Sequence, residues 1–442
     1  MTLPLSAPTH RQILASAIPI ILANSATPLL GLTDIAVIGH YGSVSDLGAI
    51  ALGSLLFSFL FWGFGFLRMS TSGFVAQASG RNDTLELIAT LTRALLLAFA
   101  IGALLIASQW PIAMAAMKLL GASENVERIA RDYFYVRVWS APATLGLYVL
   151  MGFFIGTSNS RFLLIAQLIL NGLNIALDIL FAGVAGWGAR GIAFGTALAE
   201  WLTLFIVAAM TWRLLRTRIS VARPQLFSAL RDQQKWRAIM SANGDILLRT
   251  LSLLSGFAIF TGIGARFGEA TLAANHLLLQ LISFSAFFLD GFAYVTEALV
   301  GRAHGAGERH VFALVVKRTT QLAAITAILL MAVLWSGGRY FIERLTSLEA
   351  VRIVAINYLP FCAPYILVSF AAFQLDGVFI GATQTRALRN ASLIATSLFS
   401  AVCFPLAQAF GNMGLWSAFT LFVVLRAVAL AAHYPRAFNR PA

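Results

Sequence analysis

Charge is what this sequence has least of. Only 11% of its 442 residues are Asp, Glu, Lys or Arg, against about a quarter in a soluble domain. Hydrophobic residues make up 59%, and mean hydropathy is +0.82. So few charges could not cover a soluble core of this size, so the exterior has to meet lipid. Cysteine is almost absent. Cys362 and Cys403 both lie in apolar runs, which excludes a disulfide framework and reads as two small buried hydrophobes. Signatures of catalysis are missing too. No lysine follows a glycine, so there is no phosphate-binding loop and no ATP motor. There is no H-E-x-x-H, the six histidines are scattered, and no G-x-S-x-G occurs. The chain reads as no enzyme and as needing no cofactor. Any uphill work would have to draw on an ion gradient.

What is present is a series of long apolar runs. A bilayer core takes about 20 apolar residues per helix. The runs predict helices near 12–39, 47–73, 85–108, 127–154, 162–185 and 190–214. Six more follow near 238–263, 270–299, 312–336, 350–380, 388–410 and 413–434. Segments of this length do not alternate as barrel strands do. The fold class expected is therefore an all-α polytopic membrane protein of twelve spans. No small-residue cleavage site follows the first run, so the first span is expected to remain and to target the chain.

The net charge of +13 is read as topology and headgroup contact, with no nucleic-acid partner. Twelve spans place both termini on one side. Of the 31 Lys and Arg, 18 fall in that side's loops and tails and 9 on the other. Four, Arg68, Arg93, Arg249 and Arg426, fall within spans. The basic side faces the cytoplasm. The stretch 215–237 holds Arg216, Arg218, Arg223, Arg231, Lys235 and Arg237. It reads as a partly helical cytoplasmic linker between residues 1–214 and 238–442.

The two halves repeat. FFIGTSNSR at 153–161 returns as VFIGATQTR at 378–386, 225 residues on, and the same offset pairs Val75, Ala78 and Gly80 with Val300, Ala303 and Gly305. Six helices per half is an even number, so both halves start on the same side. That predicts two six-helix lobes related by a parallel pseudo-two-fold axis.

An ionised side chain at mid-bilayer costs about 3 kcal/mol, so each one there needs a reason. The N-terminal half shows two such acids, Asp34 and Asp178. Asn171, Asn174 and Asp178 are spaced i, i+3, i+7 and share one face of an otherwise apolar helix. In the first span, Asn24, Thr27, Gly31 and Asp34 share a face, and Pro19 and Pro28 withhold N–H donors from the carbonyls of Ala15 and Asn24. Pro28 above all is expected to act as a hinge. Freed carbonyls beside an acid suit a cation or a proton. Two carboxylates in one poorly solvated pocket could not both ionise cheaply. The C-terminal half holds Asp290, Glu297 and Asp376, but the repeat aligns none of them with Asp34 or Asp178. Arg249 and Arg426 could simply neutralise these acids. Asp376, beside the repeated FIG segment, is the better functional candidate of the three.

The whole pattern resembles the multidrug and toxic compound extrusion (MATE) transporters. Within them it resembles the bacterial branch named for induction by DNA damage. The resemblance covers nearly the whole chain. It is carried by PLLGLTDIAVIGHYG, FLRMSTSGFVAQASG, NGLNIALDIL, GIAFGTALAE, FFLDGFAYVTEALVGRAHG and LDGVFIGATQTRALRN. It implies two lobes around a cavity that opens alternately to each side, and antiport of protons or sodium against an organic compound. The family's N-lobe ion site falls on Asp34, Asn174, Asp178 and Thr196. Sodium-coupled relatives carry a span-seven Glu, where this chain reads LRTLSLLSGFAIF. The resemblance therefore implies a proton-coupled exporter, with sodium at the N-lobe set as the other coupling ion. The partners expected are a small lipophilic or cationic substrate and membrane lipid, and the chain is expected to act as a monomer in a bacterial inner membrane. A lipid-linked precursor flippase of the same superfamily is the alternative, and a membrane-embedded enzyme a more distant one.

Reporter fusions after Arg223 and at Ala442 should both report the cytoplasm. An extracytoplasmic signal from either contradicts the charge reading.

Overall fold

The structure is a computed structural model that describes residues 7–26, 33–34, 36–40, 43–120, 123–216 and 223–438. Among these, every regular element is helical. In chain order they are α1 (His10–Ser25), α2 (Val44–Gly63), α3 (Phe66–Gly80), α4 (Thr84–Ala107), α5 (Gln109–Leu120), α6 (Glu124–Arg137), α7 (Ala141–Gly156), α8 (Ser160–Asp178) and α9 (Gly188–Arg216). The short α10 (Arg223–Leu230) falls in the linker. There follow α11 (Gln233–Gly264), α12 (Glu269–Ala306), α13 (Arg309–Leu345), α14 (Glu349–Gly381) and α15 (Thr385–His433).

Ten helical stretches among the described residues are long and apolar enough to cross a bilayer. The last of them, α15, contains one non-helical residue, Gly411, with φ 61° and ψ −143°. A side chain would strain that backbone, and glycine does not. Gly411 thus bends α15 into two spans where the Gly411-Asn412-Met413-Gly414 turn was predicted. With α1 opening the first span, the twelve-span plan is complete. The predicted hinge Pro28, and with it Thr27 and Gly31, lies outside the described residues. Pro19 is inside α1.

Contacts divide the chain into Leu22–Arg237 and a second unit of Met1–Ile21 with Ala238–Ala442. In the first unit, α10 is tied down by Arg93, which is fully buried, donates to the Ala229 carbonyl at 2.5 Å and pairs with Glu86 at 3.1 Å.

Helix packing repeats with the sequence. A Cβ on Gly152 would overlap the Arg68 carbonyl oxygen, and one on Gly156 would lie 2.6 Å from the Ser72 carbonyl oxygen. At an offset of 225 residues, a Cβ on Gly377 would overlap the Ala293 carbonyl and one on Gly381 the Glu297 carbonyl. So α7 lies on α3 as α14 lies on α12, backbone against backbone. Small residues are what allow such approach where lipid supplies no hydrophobic drive between helices.

The second unit's core is aromatic. Phe260 meets Trp416 edge-on at 5.0 Å and Phe419 at a tilt at 4.6 Å, centroid to centroid. Asn275 and Asn412 exchange amide hydrogen bonds at 2.7 and 3.0 Å, and Trp416 Nε1 donates to Asn275 Oδ1 at 2.9 Å. A buried amide pair is tolerable there because its hydrogen bonds close on each other. Outward-facing side chains are large and apolar, Trp110, Phe205, Trp212 and Trp335 among them. That inverts a soluble surface, as lipid contact requires.

Candidate functional site: a buried pair of acids in the N-terminal half

The site grows out of α8. Asn171, Asn174 and Asp178 are all buried, while Leu168, Ile175 and Ile179 on the opposite side are exposed. The stripe read from the spacing therefore points inward. Gln167 extends it by one turn, donating to Asn171 Oδ1 at 3.1 Å, and Asn171 donates to the Ala26 carbonyl at 3.0 Å. That carbonyl belongs to the turn at the end of α1, two residues beyond Asn24. Asn24 itself is half-buried, and its amide nitrogen has no acceptor among the described residues.

Directly after Asp178 the helix widens. Residues Ile179–Val184 form a π-helix, a feature that often marks functional sites. Against this wide turn packs α9, through Gly191-Ile192-Ala193-Phe194-Gly195. A Cβ on Gly191 would come within 2.7 Å of the Ala182 nitrogen, and one on Gly195 would overlap Asp178 Oδ1. The two glycines let α9 press against the carboxylate itself. One residue further, Thr196 Oγ1 donates to the Ile192 carbonyl at 2.9 Å and accepts from Asn174 Nδ2 at 3.0 Å.

Asp34 completes the set. It is buried, and its carboxyl lies within hydrogen-bonding reach of that of Asp178. The four residues Asp34, Asn174, Asp178 and Thr196 are thus brought together. Their hydrogen bonding is one-sided. Asp34 Oδ1, both oxygens of Asp178 and Asn174 Oδ1 are buried without a donor among the described residues. Two carboxylate oxygens in contact can share a hydrogen bond only when one carries a proton. The pocket therefore offers acceptors and is short of donors, a chemistry that takes a proton or a cation.

Two charged neighbours escaped the sequence reading, which counted only two intramembrane acids here and placed Arg137 among the nine basic residues of the outer side. Glu200 on α9 is a third buried acid, and Arg137 closes α6 inside a span. Arg137 grips Glu200 with both terminal nitrogens at 2.7 Å, while Thr144 donates to the same carboxylate at 2.6 Å. The guanidinium also lies over Phe57 and Phe61, 5.4 and 5.7 Å from the ring centroids. Its charge reaches Asp34 and Asp178. Both residues already lay inside predicted spans, 127–154 and 190–214, which was the available signal; their pairing across 63 residues leaves no mark in helical spacing.

The other candidates stand in the second unit. Asp376 is buried between Arg249 and Arg426, whose guanidiniums both donate to its Oδ2. The neutralising role foreseen for those arginines thus falls on Asp376. Asp290 is half-buried with its charge felt by Arg249, and Glu297 is buried.

The MatE family profile matches residues 19–180 and again 246–406, one match in each half. The chain belongs to the MatE family, the multidrug and toxic compound extrusion transporters. It is 38% identical to DNA damage-inducible protein F of Escherichia coli (strain K12), over 95% of this chain and 91% of that protein. It is 27% identical to the probable multidrug resistance protein NorM of Rhizobium meliloti (strain 1021), over 98% of this chain and 95% of that one. Among solved structures, a MATE protein in the straight conformation matches with a TM-score of 0.86 at 17% identity, over 98% of this chain and 96% of that one. One in the bent conformation matches with a TM-score of 0.85, over 97% and 96%. These structures share the fold of two six-helix lobes. The MatE chain described here is a multi-pass membrane transporter and not an enzyme.

Gly195→Ala should test the seat of Asp178. Its methyl group must push the carboxylate or part α9 from the π-turn, lowering stability by about 1–3 kcal/mol and cutting transport. An unchanged melting temperature and unchanged efflux from liposomes would show that α9 does not position Asp178.

Proposed function

We propose that this protein exports lipophilic or cationic organic molecules by antiport against protons, with Asp34 and Asp178 as the coupling acids and Asn174 and Thr196 orienting them. The observation that supports this most directly is the one-sided hydrogen bonding of the pocket, where four buried acceptor atoms have no donor in place among the described residues. One proton between the two carboxyls supplies the missing donor and removes one of two adjacent negative charges. A proton loaded from outside and released to the cytoplasm then alternates with a substrate that prefers the deprotonated pocket. Each ligand needs only to bind the two conformations unequally for exchange to follow. Sodium would meet the same oxygens, so the coupling ion is settled by which gradient drives transport. On this reading residues 1–214 and 238–442 are the rocking lobes. Residues 215–237 are their cytoplasmic linker, and the chain works as a monomer in the inner membrane with both termini cytoplasmic.

Asp34→Asn and Asp178→Asn each imitate the protonated side chain with little change of shape. Either should abolish efflux driven by an imposed pH gradient in liposomes, and the double variant should be no worse than either alone. Wild-type rates from both single variants would place coupling elsewhere. Efflux driven by a sodium gradient and indifferent to pH would replace the proton with sodium.

A further inference from the structure

The second unit contains a buried cluster whose chemistry inverts that of the first. Arg249 on α11 and Arg426 on α15 are both more than nine-tenths buried, and both donate to one oxygen of Asp376 on α14. The Nε atoms of both arginines are buried without an acceptor among the described residues. A guanidinium has five N–H donors and accepts nothing, so two of them around one carboxylate leave donors and positive charge in excess. The carboxylate is held by a single oxygen. Asp376 Oδ1 has no donor among the described residues, so neither arginine makes the two-pronged fork that would consume its capacity. Asp290 on α12 adds negative charge near Arg249. It is half-exposed, and a solvated charge is screened more strongly than the buried arginines are.

Toward this cluster α12 carries an exposed polar face. Glu269, His276, Gln280 and Ser283 are exposed and follow one another at seven, four and three residues. Asp290 lies seven residues further on the same face. A polar face of this kind is costly against lipid and stable against water. Arg249 is the seventeenth of the 32 residues of α11, which places it mid-span, where lipid headgroups do not reach.

We propose that Arg249 and Arg426 form a binding site for the carboxylate of an organic anion, with Asp376 occupying part of that site in its absence. The incoming carboxylate takes the orphaned Nε donors, and the α12 face admits it. The same transporter would then hold an acceptor-rich pocket for a proton or cation in one half and a donor-rich pocket for an anionic group in the other.

The probes are 1-naphthoate and 1-naphthamide, alike in shape and different in charge. They would be titrated calorimetrically into the full-length chain in phosphatidylcholine nanodiscs. Naphthoate should bind about tenfold or more tightly than naphthamide, a difference equivalent to one charge-assisted hydrogen bond. Arg426→Gln should remove that preference. Since this variant leaves a buried carboxylate short of a partner and could fail to fold, Asp376→Asn carries the second arm. Loss of the competing charge should tighten naphthoate binding and leave naphthamide unchanged. Equal binding of the two probes, or naphthoate affinity that Asp376→Asn leaves unaltered or weakens, would overturn the proposal and reduce the cluster to a structural ion triad.

Discussion

Within a membrane span, a polar atom must find its partner inside the protein, because lipid offers none. That constraint governs most of what is distinctive here. It explains why Asn275 and Asn412 close on each other, why Arg137 and Glu200 meet in a two-pronged pair, and why Thr196 returns its hydroxyl to the Ile192 carbonyl. Against that background the exceptions stand out. The oxygens around Asp34 and Asp178 are buried and lack donors among the described residues. Among the buried polar atoms that lack a partner among the described residues, those around Asp34 and Asp178 gather four acceptors in one place, the kind of deficit a proton can fill. The Arg137–Glu200 pair fits beside it as a fixed charge. Breaking such a pair costs about 3–5 kcal/mol, so Arg137 stays with Glu200 and keeps the acids from acquiring a permanent partner of their own.

Shape follows from the same economy of small residues. Gly152, Gly156, Gly377 and Gly381 let helices touch at the backbone in both halves, and Gly191 and Gly195 do so against the π-turn. The halves share this scaffold and differ in what they bury. One carries two neighbouring carboxyls, the other two arginines on one carboxyl. Duplication fixed the packing positions and left the polar positions free to diverge, as the match of the family profile to both halves also indicates.

Much of this was readable beforehand, for physical reasons. Spans announce themselves because about 20 consecutive residues must be apolar. The Asn171, Asn174 and Asp178 stripe was visible because helical spacing puts it on one face, and burial of all three bears that out. The 225-residue offset showed the repeat, and the paired glycine contacts give it a structural meaning. Three things were missed. Glu200 and Arg137 lay inside the predicted spans 190–214 and 127–154 and were passed over, since only their pairing across 63 residues gives them a role. The π-turn after Asp178 was invisible because its residues, Ile179–Val184, are as apolar as those of any regular helix. The two arginines foreseen as neutralisers, 127 residues before Asp376 and 50 after it, both fall on that acid, the one preferred as a functional candidate.

The central claim is that Asp34 and Asp178 hold one proton that substrate displaces. It is tested most directly by proton release on binding. Purified protein in weakly buffered detergent would be mixed with a lipophilic cation such as tetraphenylphosphonium, and the pH followed with an indicator dye. Linkage between the two ligands requires release of about one proton per bound cation at a pH where the pair is protonated, and no release from Asp178→Asn. Binding without proton release by the unsubstituted chain, or undiminished release by Asp178→Asn, would contradict it.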